Sequence, residues 1–392
     1  MASFFPEILA DVDKLTDEEK AQLMAKLTAQ LSGCETVRDA KKENEDIIPK
    51  ACPRCGTYNE KNKVIKKHGK VNGKQRYKCK SCNKTFCEST SYITHHSHLS
   101  EWQWQEIIRG MILGLSIPKI ADLTELSVKA VWFNRNKVLH VLANLFGYQD
   151  RFVDIAECDE HFVHMSFKGK RDPAFFVKVL GRLPRHNRTR KEKIEYLEKY
   201  GLWDELSKNP EQLELLLRGD ADLPGTNRDS VCILTGKDRS GNLFAKPVCL
   251  GNAESSHIVS HFDGRFNEDT ILVTDGNNSY NWFAEERNIY HVKVPSDKKA
   301  VGPYSLAHVN SVHKEMTDMW PKDWQNLPAT KYLDLNMMLF WWLEKNKDIS
   351  INEKVEILWG HVKDSEKMTL TYDQLVRREL QLDTKGLIPT RV

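Results

Sequence analysis

Two Cys-x-x-Cys pairs, Cys52-Pro-Arg-Cys55 and Cys79-Lys-Ser-Cys82, stand with 23 residues between them. Tetrahedral Zn²⁺ takes four thiolates, and two such knuckles supply them, so the spacing predicts a structural zinc site in a zinc ribbon. Because the two pairs match each other, a redox role is the weaker reading. Lys63-Val-Ile-Lys66 before Asn72-Gly73, and Gln75-Arg-Tyr-Lys-Cys79 after it, read as hairpin strands around that metal. The second chemistry is that of carboxylates. Asp159 lies in the strand-like run Asp154–Val163, and Asp275 follows Thr270-Ile-Leu-Val-Thr274, at the C-terminal end of a buried strand. Carboxylates so placed can converge on divalent metals that leave positions open for phosphate. A strand-end Asp serves equally well as a turn or cap residue.

Charge is distributed unevenly. Lys50–Lys84 holds twelve Lys/Arg and one acid, a net +11, so the rest of the chain carries −8 of a total +3. A short, strongly basic segment on an acidic remainder points to nucleic-acid contacts, through Lys63, Lys66, Lys67, Lys70, Lys74 and Arg76. Cys87, His95, His96 and His98 read as solvated connector residues rather than a second metal site.

These groups need elements to hold them. Thr16 and Glu19 form a capping box before a Leu23/Leu27/Leu31 helix, followed by a polar linker. Residues 99–146 read as long helix, short helix, turn, helix, with Ser100 and Ser127 as caps. That is helix-turn-helix order, and Lys129, Arg135, Asn136 and Lys137 could face DNA. After Asp150 come β-like runs at Val153–Phe167, Val231–Lys237, Asn242–Leu250, Thr270–Thr274 and Tyr290–Val294, mixed with helical patterns. Asp238-Arg-Ser-Gly-Asn242 is a hairpin turn. The expected organisation is multidomain α+β: an N-terminal helix and linker over 1–46, a zinc ribbon over 47–92, a helix-turn-helix over 98–148, an α/β domain over 150–346 with a helical insertion at about 187–228, and a helical tail over 347–392. At 40% apolar and 29% charged residues the chain reads as globular, and neither a membrane span nor a secretory leader is expected from its patterning. Nine cysteines, four of them in tight pairs, suit a reducing compartment.

The ordered set of zinc ribbon, helical module, Cys158-Asp-Glu-His-Phe162, Val231-Cys-Ile-Leu-Thr235, Asp238-Arg-Ser-Gly-Asn242, Thr274-Asp-Gly276 with Ser279-Tyr280, His308-Val-Asn-Ser-Val-His313 and Ala329-Thr-Lys-Tyr-Leu333 resembles the insertion-sequence transposases of the ISXO/Merlin-like DDE group over roughly residues 15–345. The resemblance implies an RNase H-like catalytic domain and DNA transposition in the prokaryotic cytoplasm, at the nucleoid. It also implies double-stranded DNA partners (element ends and target), and a homodimer or larger assembly on DNA. Asp159 and Asp275 match the first two catalytic acids. The family's third position is Asn-x-x-Glu or Asn-x-x-His, here Asn310-Ser-Val-His313. Asn310 and His313 are three residues apart and share a helix face, whereas Glu315 lies about 200° from His313. A neutral third ligand lowers Mg²⁺ affinity or favours Mn²⁺. Glu160 would point to the opposite face of a regular strand from Asp159. Arg182, Arg185, Arg188 and Arg190 either follow phosphates or form a solvated basic loop. The implied chemistry is metal-assisted hydrolysis at the element end, then attack of the freed 3′-OH on target DNA. Two alternatives share this outline: a decayed, transposase-derived DNA-binding protein, and a nuclease of the same fold without strand transfer.

Overall fold

The computed structural model describes residues 48–71, 74–95, 97–147, 150–184, 188–218, 230–319, 328–365 and 368–390. They form two compact units divided between Glu88 and Ser89. The N-terminal helix and linker expected over 1–46 lie outside the described residues.

The first unit is a three-stranded antiparallel sheet of β1 (Ile65–Val71), β2 (Lys74–Cys79) and β3 (Thr85–Cys87). The Asn59 side chain accepts the N–H groups of Val64 (3.1 Å) and Ile65 (2.8 Å), tying the first knuckle to β1. Its core is small: Cys52, Ile65, Tyr77, Cys79 and Phe86.

The second unit opens with three helices, α1 (Glu101–Ile112), α2 (Ile117–Thr124) and α3 (Val128–Leu145). Ser100, Ser116 and Ser127 cap them by accepting N–H groups three residues on, as short hydroxyl side chains do at helix starts. Glu125 ends α2 in the left-handed conformation, φ 54°.

A five-stranded mixed sheet follows: β4 (Ile155–His164), β5 (Ser230–Asp238), β6 (Leu243–Leu250), β7 (Ile271–Thr274) and β8 (His291–Lys293), in the order β6-β5-β4-β7-β8. β4 is antiparallel to β5 and parallel to β7. α7 (Ser255–Phe262) and α8 (Ser279–Glu286) cover one face, where Phe262, Tyr280 and Phe283 pack with Ala156, Cys158 and Cys232. α9 (Ala307–Met319) covers the other, with Val312 and Met316 in the cluster that holds Val163, Val231 and Ile233. A two-stranded ribbon, β9 (Ala300–Val301) and β10 (Tyr304–Ser305), leads into α9.

The insertion folds as α4 (Arg190–Lys199), α5 (Trp203–Leu206) and α6 (Pro210–Arg218) around Leu197, Leu202, Leu206, Leu216 and Leu217. α10 (Leu333–Lys345), α11 (Ile351–Lys363) and α12 (Tyr372–Val376) complete the unit. Trp104 of α1 stacks on Trp359 of α11, ring centroids 6.0 Å apart. Asp383 hydrogen-bonds Leu250 and Val248, adding the last segment to the β6 edge. Residues of 98–148, 150–346 and 347–392 thus share one apolar cluster. No helix among the described residues is long and apolar enough to cross a membrane.

Candidate metal centres

The four knuckle sulfurs lie within 4.8 Å of one another, with Cys52–Cys82 at 3.8 Å and Cys55–Cys79 at 3.7 Å. A tetrahedral ion with Zn–S near 2.3 Å would set its sulfurs about 3.8 Å apart, so the donor set fits zinc. The surroundings favour thiolates unequally. The hydroxyl and backbone of Thr57 bring Cys55 down to about 6. Backbone N–H groups of Cys82 and Ser81 lower Cys79, while burial pushes Cys52 up to about 12.

The second centre forms where β7 stops. β7 pairs with β4 only as far as Glu157↔Val273, and Asp275 follows two residues later. Beyond Glu157 that edge of β4 carries no partner strand among the described residues. Alternation sends Asp159 toward α9 and Glu160 toward α8, yet at this open edge both carboxylates reach Asp275. Oxygens of Asp159, Glu160 and Asp275 all lie within 4.8 Å of one another. The expectation that Glu160 turns away from the site is therefore corrected: facing opposite sides does not separate two side chains at an unpaired edge.

Like charges held this close repel by roughly 3 kcal/mol at an effective dielectric of about 20. Burial raises Asp159 to about 6 against the Glu160 N–H it accepts (2.9 Å), with Asp275 adding to the rise. Glu160 rises to about 7, chiefly by burial and then by Asp159, opposed by Asn277 Nδ2 at 3.0 Å. Asn277 also donates its backbone N–H to Asp275 (2.8 Å), so one residue positions two of the acids. Such a cluster fits a divalent cation, whose charge would offset both burial and repulsion.

α9 completes the surroundings. Thr235, opposite Asp159 on β5, donates its hydroxyl to the Asp159 carbonyl (2.6 Å). Having one proton, it must accept from His313 Nε2 at 2.7 Å. This network assigns the proton to Nε2 and leaves Nδ1 a bare lone pair, 3.9 Å from Asp159 Oδ2. Burial, and next the like charge of His161, whose tilted ring lies 4.9 Å away, lower His313 to about 4, so the ring is neutral at pH 7. A lone pair facing a carboxylate at that distance suits a shared cation. Of the alternatives for the third ligand, Asn310 is exposed, and Glu315 bonds Ser311 (3.2 Å) and lines a different cavity.

Glu157 went unnoticed in the sequence. It is wholly buried and accepts the N–H groups of His308 (2.7 Å) and Val309 (3.2 Å) and His308 Nδ1 (2.6 Å), anchoring α9 to β4. The available signal was Glu157-x-Asp159-x-His161, three polar residues on one strand face.

The basic residues divide. Lys63, Lys66, Lys67 and Lys70 are exposed on the ribbon, where β1 buries only Ile65; Arg76 is partly buried and bonds Thr85 (2.6 Å). Lys74 belongs to β2. On α3 the expected DNA-facing set is largely corrected. Lys137 and Asn136 are buried at 5% and 2% exposure, and Arg135 bonds Asn336 of α10 (2.9 Å). The helix is enclosed by α1, α10 and α11, so a turn counted as outward faces protein. Lys129 remains exposed, over the Tyr372 ring. Arg182 is buried, Arg188 bonds the Pro184 carbonyl and Arg190 pairs with Glu214; Arg185 lies outside the described residues. Cys87, His95 and His98 join no metal-ligand cluster among the described residues, and His96 lies outside them.

A scan against protein-family models finds no match for this chain, and a search of curated proteins finds none either.

Proposed function

We propose that this chain is a DDE-type transposase of an insertion sequence, which binds terminal inverted repeats and performs metal-dependent cleavage and strand transfer on DNA. The observation that carries the reading is the convergence of Asp159, Glu160 and Asp275 within 4.8 Å at an open strand edge, with the bare Nδ1 of His313 beside Asp159. The mixed sheet, with helices on both faces, is compatible with an RNase H-like domain.

Asp159, Asp275 and Glu160 would hold Mg²⁺ or Mn²⁺, with His313 as the neutral ligand. Ions bound there would lower the pKa of a bound hydroxyl and offset charge on the phosphate and leaving oxygen. Thr235 keeps the His313 lone pair turned to the site, and Asn277 orients Asp275 and Glu160 by donating a hydrogen bond to each. The zinc ribbon, whose exposed lysines give it a basic surface, would hold duplex DNA as a homodimer or larger assembly pairs two ends. The setting is the prokaryotic cytoplasm, at the nucleoid.

One observation favours a second reading, a DNA-binding relic without activity: α9 places an imidazole beside Asp159, with the Glu315 carboxylate turned elsewhere. The test is strand transfer on labelled DNA carrying the flanking repeats, with Mg²⁺ or Mn²⁺, beside Asp275→Asn. Joined products that vanish in the variant support the transposase. Cleavage without joining indicates a nuclease, and binding without cleavage under either metal indicates the relic.

A further inference from the structure

A cavity of about 1360 Å³ lies in the second unit among α2, α3, α9, α10, α12 and the segment 166–170. It exceeds what a drug-sized ligand fills. Its walls combine cations with aromatic rings: Lys129, Arg135 and Lys170, and Trp132, Tyr332 and Tyr372. Among the described residues these cations meet rings and an amide rather than a carboxylate. Lys129 lies 4.4 Å over Tyr372, Lys170 lies 4.6 Å over Phe175, and Arg135 meets only the amide oxygen of Asn336. Burial alone pushes the Arg135 guanidinium down to about 10, with no acid offsetting it.

One wall carries the opposite need. Glu315 Oε2 is buried and has no hydrogen-bond partner among the described residues. A buried carboxylate oxygen calls for an N–H donor. Uncompensated cations, ring faces and one orphaned acceptor together match phosphate, base face and exocyclic amine.

α9 links this cavity to the acids. His313 stands beside Asp159, and Asp318 lines the cavity five residues on, about 8 Å along the helix.

We propose that this cavity binds unpaired nucleotides of the DNA strand adjoining the reacting phosphate, with bases on Trp132 and Tyr372, phosphates on Lys129, Lys170 and Arg135, and a base amine on Glu315. This rests on the DNA reading above. It goes beyond that reading in assigning single-stranded character and a preference for amine-bearing bases.

The test measures binding of the full-length zinc-loaded chain to blunt duplex DNA and to the same duplex with a single-stranded tail of about four nucleotides, by fluorescence anisotropy without added divalent metal. Stacking contributes enough per base for the tail to tighten binding about tenfold. The double variant Lys129→Glu/Lys170→Glu, at one exposed and one half-buried side chain, should lose that increment at a melting temperature within a few degrees of wild type. A cytosine tail should exceed a thymine tail, and Glu315→Gln should narrow that gap. Equal affinity for blunt and tailed DNA in the wild type, or an increment that survives the double variant, overturns the proposal and leaves the cavity to a protein segment. If the tail adds nothing while cleavage proceeds, only the cavity assignment fails. If the tail adds affinity while neither metal supports cleavage, only the catalytic reading fails.

Discussion

Glu157, two residues before Asp159 on β4, closes the N-terminus of α9 by accepting the His308 backbone N–H at 2.7 Å and the His308 ring at 2.6 Å. A carboxylate at a helix N-terminus satisfies free N–H donors and the helix dipole together. Removing it would leave buried donors unpaired, so Glu157→Ala should cost about 2–4 kcal/mol in denaturant unfolding. It should also loosen His313, and thus lower Mn²⁺ affinity. Unchanged stability would refute the anchoring role.

The ribbon's core, five buried residues among those described, is too small to fold unaided, so its structure should depend on metal. Cys79→Ser should abolish zinc content and open residues 50–88 to proteolysis. The second unit, from Ser89 onward, should keep its thermal transition. Loss of both together would contradict the division into units.

Metal binding at the acid cluster should follow pH. Asp159 and Glu160, raised to about 6 and about 7, must lose protons to bind a cation. The thermal shift on adding Mn²⁺ should therefore grow between pH 5.5 and 7.5 and vanish in Asp275→Asn. For the metal-free protein the sign follows from Glu160: its folded pKa is raised, so its contribution is favourable at low pH and lost as pH rises through about 7. Glu160→Gln should thus stabilise the metal-free chain at pH 8 and change little at pH 5.

Thr235 positions rather than reacts. Thr235→Val removes the acceptor for His313 Nε2–H, freeing the ring to flip its tautomer. Cleavage should fall about tenfold or more, in line with the usual cost of losing an outer partner of a metal ligand, with rescue by Thr235→Ser. A valine variant with full activity would remove Thr235 from the account.

Duplex affinity should reside in the ribbon rather than in Asn136 and Lys137 of α3, which are buried. Replacing Lys66, Lys67 and Lys70 by alanine should weaken duplex binding and reduce the salt slope by up to about 3, at roughly 0.9 per phosphate contact. Lys137→Met should leave affinity unchanged, because that ammonium is buried over the Phe133 ring.

Local signals determined much of this protein. The Cys-x-x-Cys spacing, the serine caps of α1 and α3, the Asp238–Asn242 turn and the five strand runs all act within a few residues, and each appears where short-range geometry demands. Asp275 at the end of an apolar strand was legible for the same reason. What lay beyond the sequence depends on which elements meet. Glu160 enters the acid cluster only because β7 stops short and bares the edge of β4. Lys137 is lost to solvent because its ammonium lies over the Phe133 ring and 6.0 Å from Trp104 of α1, and Trp104 in turn stacks on Trp359 of α11, contacts between separate helices that helical periodicity does not encode. His313 acquires its bare Nδ1 from a hydroxyl 78 residues away. Chain-local chemistry named the residue types; tertiary packing decided which of them share a site, because burial and hydrogen-bond partners are set by neighbours distant in sequence.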